Sequence, residues 1–161
     1  MRHSSTAFLT LLATVVFSGS RSPVQAADNG GHASACKPLN GAHAAEIDFF
    51  SNGAFNISTI NFRSITCGTL RATTAHPTVV EVDYYDAVSS NLVSCGLQVW
   101  QWGTPTQLFL QNAFSRNEEV GSGTFRFTIP SSIVGRVQIT CNLPPATTAT
   151  SGQSGIRGFR F

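Results

Sequence analysis

Two tryptophans separated by one glutamine, Trp100 and Trp102, are the residues of this sequence best suited to contact a ligand. They follow a run in which alternate positions are apolar, namely Val93, Cys95, Leu97 and Val99. Because side chains alternate between the two faces of a strand, the run predicts that both indoles lie on the face opposite those residues. Neighbouring indoles at a strand end can stack on sugar rings or anchor a protein partner. We therefore predict a patch that binds a glycan or a protein; the alternative is that the indoles cover a second apolar layer, or that a bulge turns one of them inward.

The most catalytic-looking cluster consists of His43, Glu46 and Asp48. His43 and Glu46 share a face only if residues 42–48 form a helical turn, and they point to opposite sides if the segment is a strand. We interpret the cluster as a polar surface turn that leads into the first strand. No Gly-x-Ser-x-Gly elbow occurs in the sequence, so no catalytic residue is assigned. The sequence favours a non-enzymatic binding or structural module, with a small secreted hydrolase or hydrolase inhibitor of unidentified site as the alternative.

Three acidic residues close in sequence, Glu81, Asp83 and Asp86, are candidates for calcium because hard cations take several oxygen ligands. No dedicated calcium loop surrounds them, and alternating acidic residues are typical of the solvent face of a strand. We therefore predict no metal site and no cofactor. A short motif that begins at Asn56, Asn-Ile-Ser, matches the acceptor for N-glycosylation in a eukaryotic secretory host.

Four cysteines, Cys36, Cys67, Cys95 and Cys141, are present, and an even number in an exported chain is typical of two disulfides. Zinc binding is the rival interpretation. The wide spacing, without a CxxC pair or a nearby pair of histidines, disfavours it. Three pairings are open on sequence grounds. We favour Cys36 with Cys67 and Cys95 with Cys141, because this arrangement needs no crossing loops.

The first 26 residues have the organisation of a signal peptide. A short start that contains Arg2 precedes a mostly apolar, uncharged run over residues 7–17, which is shorter than the roughly 20 residues that cross a bilayer. Small residues, Val24 and Ala26, stand three before and one before the expected cut. The sequence predicts cleavage after Ala26, a secreted or periplasmic location, and no transmembrane segment in the mature chain. Residues 27–35 are expected to form a flexible lead and residues 36–161 a single domain.

The balance of charge excludes one class of partner. Arg2 and Arg21 lie in the segment to be removed, and the remaining Lys and Arg residues equal the Asp and Glu residues in number. Nucleic acids and anionic membranes are bound by clustered Lys and Arg, so we predict no nucleic-acid partner. Charged residues make up only 11% of the chain, which indicates a solvent face built from Ser, Thr, Asn and Gln.

The elements that position these residues are predicted to be strands. Runs rich in β-branched and aromatic residues recur at short intervals over residues 46–50, 54–60, 62–70, 78–85, 92–102, 107–114, 124–129, 133–143 and 155–161. Residues 121–123, Gly-Ser-Gly, are interpreted as a hairpin turn. A period of two, with no helical stripe after Phe17, indicates antiparallel sheets. We predict an all-β protein, an antiparallel β-sandwich stabilised by two disulfides, with a small barrel as the alternative.

Overall fold

The computed structural model describes residues 31–71, 78–116, 120–148 and 150–161. The predicted signal peptide with its cleavage after Ala26, and the first residues of the expected lead, lie outside this part of the chain. Among the described residues, no helix has the length and apolar character that crossing a membrane requires.

Strands occupy most of the described chain. They are β1 (Gly31–His32), β2 (Lys37–Pro38), β3 (Ile47–Phe50), β4 (Gly53–Asn56), β5 (Arg63–Arg71), β6 (Thr78–Asp86), β7 (Ser94–Trp100), β8 (Gln107–Phe114), β9 (Gly121–Ile129), β10 (Arg136–Leu143) and β11 (Gly155–Arg160). Two short 3₁₀ helices, Ala33–Ala35 and Gly41–Glu46, precede β2 and β3. Each run that the sequence analysis assigned to a strand overlaps one, although several ends differ by a few residues.

The strands form two antiparallel sheets. The six-stranded sheet has the order β3-β4-β11-β6-β9, with β1 also paired to β11, and the five-stranded sheet has the order β2-β5-β10-β7-β8. Because the described strands form two separate sheets rather than one closed sheet, the fold is a β-sandwich and not a barrel. The predicted all-β, antiparallel fold class is confirmed.

The core lies between the inner faces of the two sheets. Along β6, Val80 and Val82 are fully buried, while Glu81 and Asp83 point outward. The same alternation of buried and outward-facing residues holds along β9 and β10. The largest fully buried side chains are Phe127, Ile65, Leu97, Ile129, Ile139, Leu143, Ile156, Val80, Val82, Val93, Val99 and Val137. Removal of this apolar surface from water is the main force that holds the sheets together.

Both predicted disulfides are present, with the pairing that the sequence analysis favoured. Cys36 is bonded to Cys67, and Cys95 is bonded to Cys141. Cys95 and Cys141 lie directly opposite one another on β7 and β10, and Cys36 adjoins β2, which pairs with β5 beside Cys67. All four cysteines are buried. Each disulfide therefore joins neighbouring segments on the inner face of the five-stranded sheet, and neither one links the two sheets.

Residues 31–35 differ from the flexible lead that was expected for them. β1 pairs with β11, placing Gly31 opposite Phe159, and Ala33 is fully buried in the core. A side chain at Gly31 would collide with the Phe159 ring, because an added Cβ would lie 2.3 Å from a ring carbon. This part of the lead therefore packs against the domain.

Residues 121–123 begin strand β9 and do not form the expected hairpin turn. Gly123 lies opposite Tyr84 of β6, and an added Cβ at this position would lie 2.4 Å from the Tyr84 hydroxyl oxygen. The Tyr84 ring stacks on Phe125, with ring centroids 4.2 Å apart. The predicted turn was wrong because Gly123 lies within a strand, where its missing side chain leaves room for the Tyr84 ring of the neighbouring strand. In the sequence, a Gly-Ser-Gly segment is typical of a turn.

Candidate functional site

The outer face of the five-stranded sheet, meaning the solvent side of β2, β5, β10, β7 and β8, is the surface on which Trp100 lies. Its three central strands present hydroxyl and amide side chains at the positions between buried residues: Ser64, Thr66, Ser94, Gln98, Gln138, Thr140 and Asn142. Some of these groups bind one another, since Gln138 Nε2 donates to Thr66 Oγ1 at 3.0 Å. These three strands therefore form a polar surface rather than a second apolar layer.

Trp100 is the last residue of β7 and lies half-buried on this outer face. Its backbone partners are Arg136 of β10 and Gln107 of β8. The pairing with β8 shifts register between Val99 and Trp100, which marks a local irregularity of the strand. The indole Nε1 is buried and has no hydrogen-bond partner among the described residues. Trp100 therefore lies on the predicted face, but its indole is less accessible than strand alternation alone indicates.

Trp102 is 52% exposed, but it does not belong to β7. The strand ends at Trp100, and residues 102–103 form a turn in which Gly103 adopts a φ of 72°. A hollow of about 390 Å³ lies beside Trp102 and is also lined by Gln101, Thr104, Pro105 and Arg136. The structure therefore places one exposed indole beside a guanidinium group.

A second hollow, of about 410 Å³, lies on the same outer face and is also lined by Arg136. Its other lining residues include Lys37, Thr66 and Gln138. Lys37 and Arg136 are exposed, and neither forms an ion pair within the described part of the chain. Sequence reasoning missed both cations because each stands alone on its strand. Their proximity arises only when β2 and β10 pair with opposite edges of β5.

The cluster of His43 and Glu46 lies on the 3₁₀ helix Gly41–Glu46, as the helical alternative anticipated. Glu46 forms an ion pair with Arg63 of β5, whose side chain is almost fully buried. A hydrogen bond from the Ser58 hydroxyl, then Arg63 and the charge of His43, hold the pKa of Glu46 below its ordinary value. The ion pair of Glu46 with Arg63 therefore anchors the helix to β5.

The three acidic residues considered for calcium do not converge. Glu81 and Asp83 face outward from β6 and bind Arg160, with nitrogen–oxygen distances of 3.1 and 2.6 Å. The hydrogen bond to Glu81 and the charge of Asp83 raise the pKa of Arg160. Asp86 lies on the inner side of the same strand and is only 1% exposed. Two carboxylates therefore serve a surface ion pair, and the third belongs to a buried network.

The glycosylation motif is not presented by the folded domain. The Asn56 side chain is fully buried, and its Nδ2, the atom to which a glycan is attached, donates to the carbonyl oxygens of Leu143 and Pro144 at 3.0 and 2.9 Å. Its Oδ1 accepts a hydrogen bond from the backbone N–H of Ser58 at 2.9 Å. Asn56 therefore ties β4 to the end of β10 and the residue that follows it, and its amide has a structural role.

These features define a small β-sandwich domain stabilised by two disulfides. No model of a known protein family matches the sequence. No curated protein matches it either. Among solved structures, one described as "CBM4 structure and function" is similar over 80% of this chain and 75% of its own, with 11% identity and a TM-score of 0.31. The fold class therefore rests on the strands and sheets of this chain itself.

Proposed function

We propose that this protein is a non-enzymatic binding module that acts outside the cytoplasm and contacts a glycan at Trp102. The observation that carries the proposal is the exposed indole of Trp102 in a hollow that also contains an amide, a hydroxyl and a guanidinium group. An indole provides a flat apolar surface for the face of a sugar ring, and the polar groups can bind ring hydroxyls.

A surface role for Trp102 implies that binding and stability respond differently to its removal. We expect Trp102→Ala to weaken binding of a glycan ligand by at least about tenfold. The free energy of unfolding should change by no more than about 0.5 kcal/mol, because the side chain lies in an exposed turn. Tyr85→Ala is the matched aromatic control, since Tyr85 lies on the outer face of the other sheet, below the guanidinium of Arg157. Binding by this control should be unchanged.

The experiment is a binding screen of the purified, oxidised protein against immobilised neutral and acidic glycans, followed by titration of the best ligand. Failure to bind any glycan, or full binding by Trp102→Ala, would overturn the proposal. The same glycans are then incubated with the protein and assayed for new reducing ends. Release of reducing ends would favour the alternative of a small secreted hydrolase.

A protein partner is the second candidate ligand, and a separate group of residues favours it. Leu108, Leu110 and Phe114 are exposed on β8, the edge strand of the five-stranded sheet. Apolar side chains exposed together often mark an interface. If this interpretation holds, Leu110→Ser abolishes partner binding while Trp102→Ala preserves it. The proposed glycan site predicts the opposite result.

A further inference from the structure

We infer that the ligand of this site is an acidic polysaccharide, whose anionic groups are bound by Arg136 and Lys37 while Trp102 stacks on a sugar ring. The inference rests on the proposed function and adds the chemical class of the ligand. Three observations support it: how charge is divided between the two sheets, which cations lack ion-pair partners, and where those cations lie relative to the indole.

Charge is divided unequally between the two sheets. The strands of the five-stranded sheet contain no Asp or Glu within the described chain, and their basic residues are Lys37, Arg63, Arg71 and Arg136. The strands of the six-stranded sheet hold four acidic residues, Asp48, Glu81, Asp83 and Asp86, beside three arginines, Arg126, Arg157 and Arg160. Although the mature chain has no net charge, the strands of the five-stranded sheet supply basic side chains and no carboxylates. An anion that approaches this sheet is therefore attracted by these cations and is not repelled by acidic residues of the same strands.

Several arginines of the described chain are held in ion pairs with carboxylates. Arg63 binds Glu46, and Arg160 binds Glu81 and Asp83. Lys37 and Arg136, in contrast, form no ion pair among the described residues, and both are exposed. Within the described chain their charges have no carboxylate partner, and a guanidinium group can take a carboxylate or sulfate of a ligand through two parallel hydrogen bonds.

The positions of these groups suit a chain of linked sugars rather than a single small anion. Lys37 and Arg136 line one hollow, and Arg136 and Trp102 line the other. A polymer that crosses both hollows meets a cation, a second cation and an indole in turn. Hydroxyl and amide groups, including Thr66 and Gln138, lie between the two cations and can bind sugar hydroxyls.

The test compares ligands that differ only in charge. The oxidised protein is titrated with polygalacturonate and with its methyl ester, and separately with dextran sulfate and with dextran. We expect the acidic member of at least one pair to bind at least about tenfold more tightly than its neutral partner. Binding should weaken as NaCl rises from about 50 to about 300 mM, because salt screens exposed charges. The two pairs also distinguish carboxylate from sulfate as the preferred anion.

Variants then test whether the acidic ligand binds at the surface that contains Lys37 and Arg136. Arg136→Gln and Lys37→Gln should each weaken binding of the acidic ligand about fivefold or more, and Arg136→Lys should retain part of the affinity because it keeps the charge. Arg126→Gln is the matched control, because Arg126 is 68% exposed on the other sheet. Thermal unfolding of each variant verifies that the domain is folded.

The possible outcomes separate this inference from the proposed function. Equal binding of acidic and neutral ligands that still depends on Trp102 would overturn the inference and leave the proposed function standing. Acidic binding that survives both Gln variants, that falls in Arg126→Gln, or that is independent of Trp102 would also overturn the inference. Failure to bind any of the four polymers overturns it as well, and the wider glycan screen then decides the proposed function.

Discussion

Replacing Asp86 with alanine would remove the centre of a buried polar network that joins three parts of the chain. Its carboxylate accepts hydrogen bonds from the backbone N–H groups of Val88 and Val93, at 3.2 and 3.3 Å. It also accepts from the hydroxyls of Ser115 and Ser154, which follow β8 and precede β11. The side chain therefore holds together the connection from β6 to β7, the end of β8 and the start of β11.

The magnitude of the effect follows from which donors lose their partners. Val93 N–H keeps a hydrogen bond to Ser115 Oγ at 3.0 Å, and the two serine hydroxyls can rotate toward other acceptors. Val88 N–H has no other acceptor among the described residues; because it is only part-buried, its loss is expected at the lower end of the about 1–3 kcal/mol that an unsatisfied buried donor costs. With the loss of packing added, we expect Asp86→Ala to lower the free energy of unfolding by about 2–4 kcal/mol, out of a typical total of about 5–15 kcal/mol.

Urea denaturation with the disulfides intact, followed by tryptophan fluorescence, measures this change. Asp86→Asn should also destabilise the domain, because its amide directs N–H donors at groups that are themselves donors. Asp83→Ala is the control on the same strand: Asp83 is in an exposed ion pair with Arg160, and its loss should cost no more than about 1 kcal/mol. A cost for Asp86→Ala no larger than that of the control would refute the assignment of Asp86 as the buried centre of the network.

The remaining predictions concern redox state, pH and processing. Oxidised protein should contain no free thiol under denaturing conditions, which thiol counting measures. Loss of either disulfide should lower the free energy of unfolding by about 4 kcal/mol, because the bonds close loops of 31 and 46 residues. Unfolding of variants that lack one cysteine pair measures this cost. The pKa of Glu46 is lowered in the folded state, so Glu46 stabilises the fold above its ordinary pKa of about 4.5, and this stabilisation is lost as the pH falls further. The stability difference between wild type and Glu46→Gln should therefore shrink below about pH 4.5 in acid titrations, and a constant difference would contradict it. N-terminal sequencing of exported protein should begin at Ala27, and material that still begins at Met1 would contradict the signal peptide.

Several features of the protein could be predicted from the sequence because they depend on local alternation. Successive residues of a strand face opposite sides of the sheet, so every second residue shares a face. On this basis Val80 and Val82 on β6 and Phe127 on β9 could be assigned to the core before the sheets were known. Cys67, Cys95 and Cys141 could be assigned in the same way, since each alternates with buried residues along its strand. Their pairing needed one further assumption, that of uncrossed loops.

Alternation along a strand does not predict where residues lie beyond the end of that strand, or which residues of other strands they contact. Trp102 lies beyond the last residue of β7, so alternation could not place it, and Trp100 is half-buried beside a shift in register. Gly123 resembles a turn residue, yet its role is to admit the ring of Tyr84 from the neighbouring strand.

Only the tertiary structure decided which polar and charged groups meet. β1 and β2 have two residues each and no periodicity, and they are strands because β11 and β5 supply their hydrogen bonds. The network around Asp86 and the surface shared by Lys37 and Arg136 likewise bring together segments that lie far apart in sequence. Apolar alternation within one strand determines what that strand buries. Polar contacts depend instead on strand order and register, which are set by all the strands together.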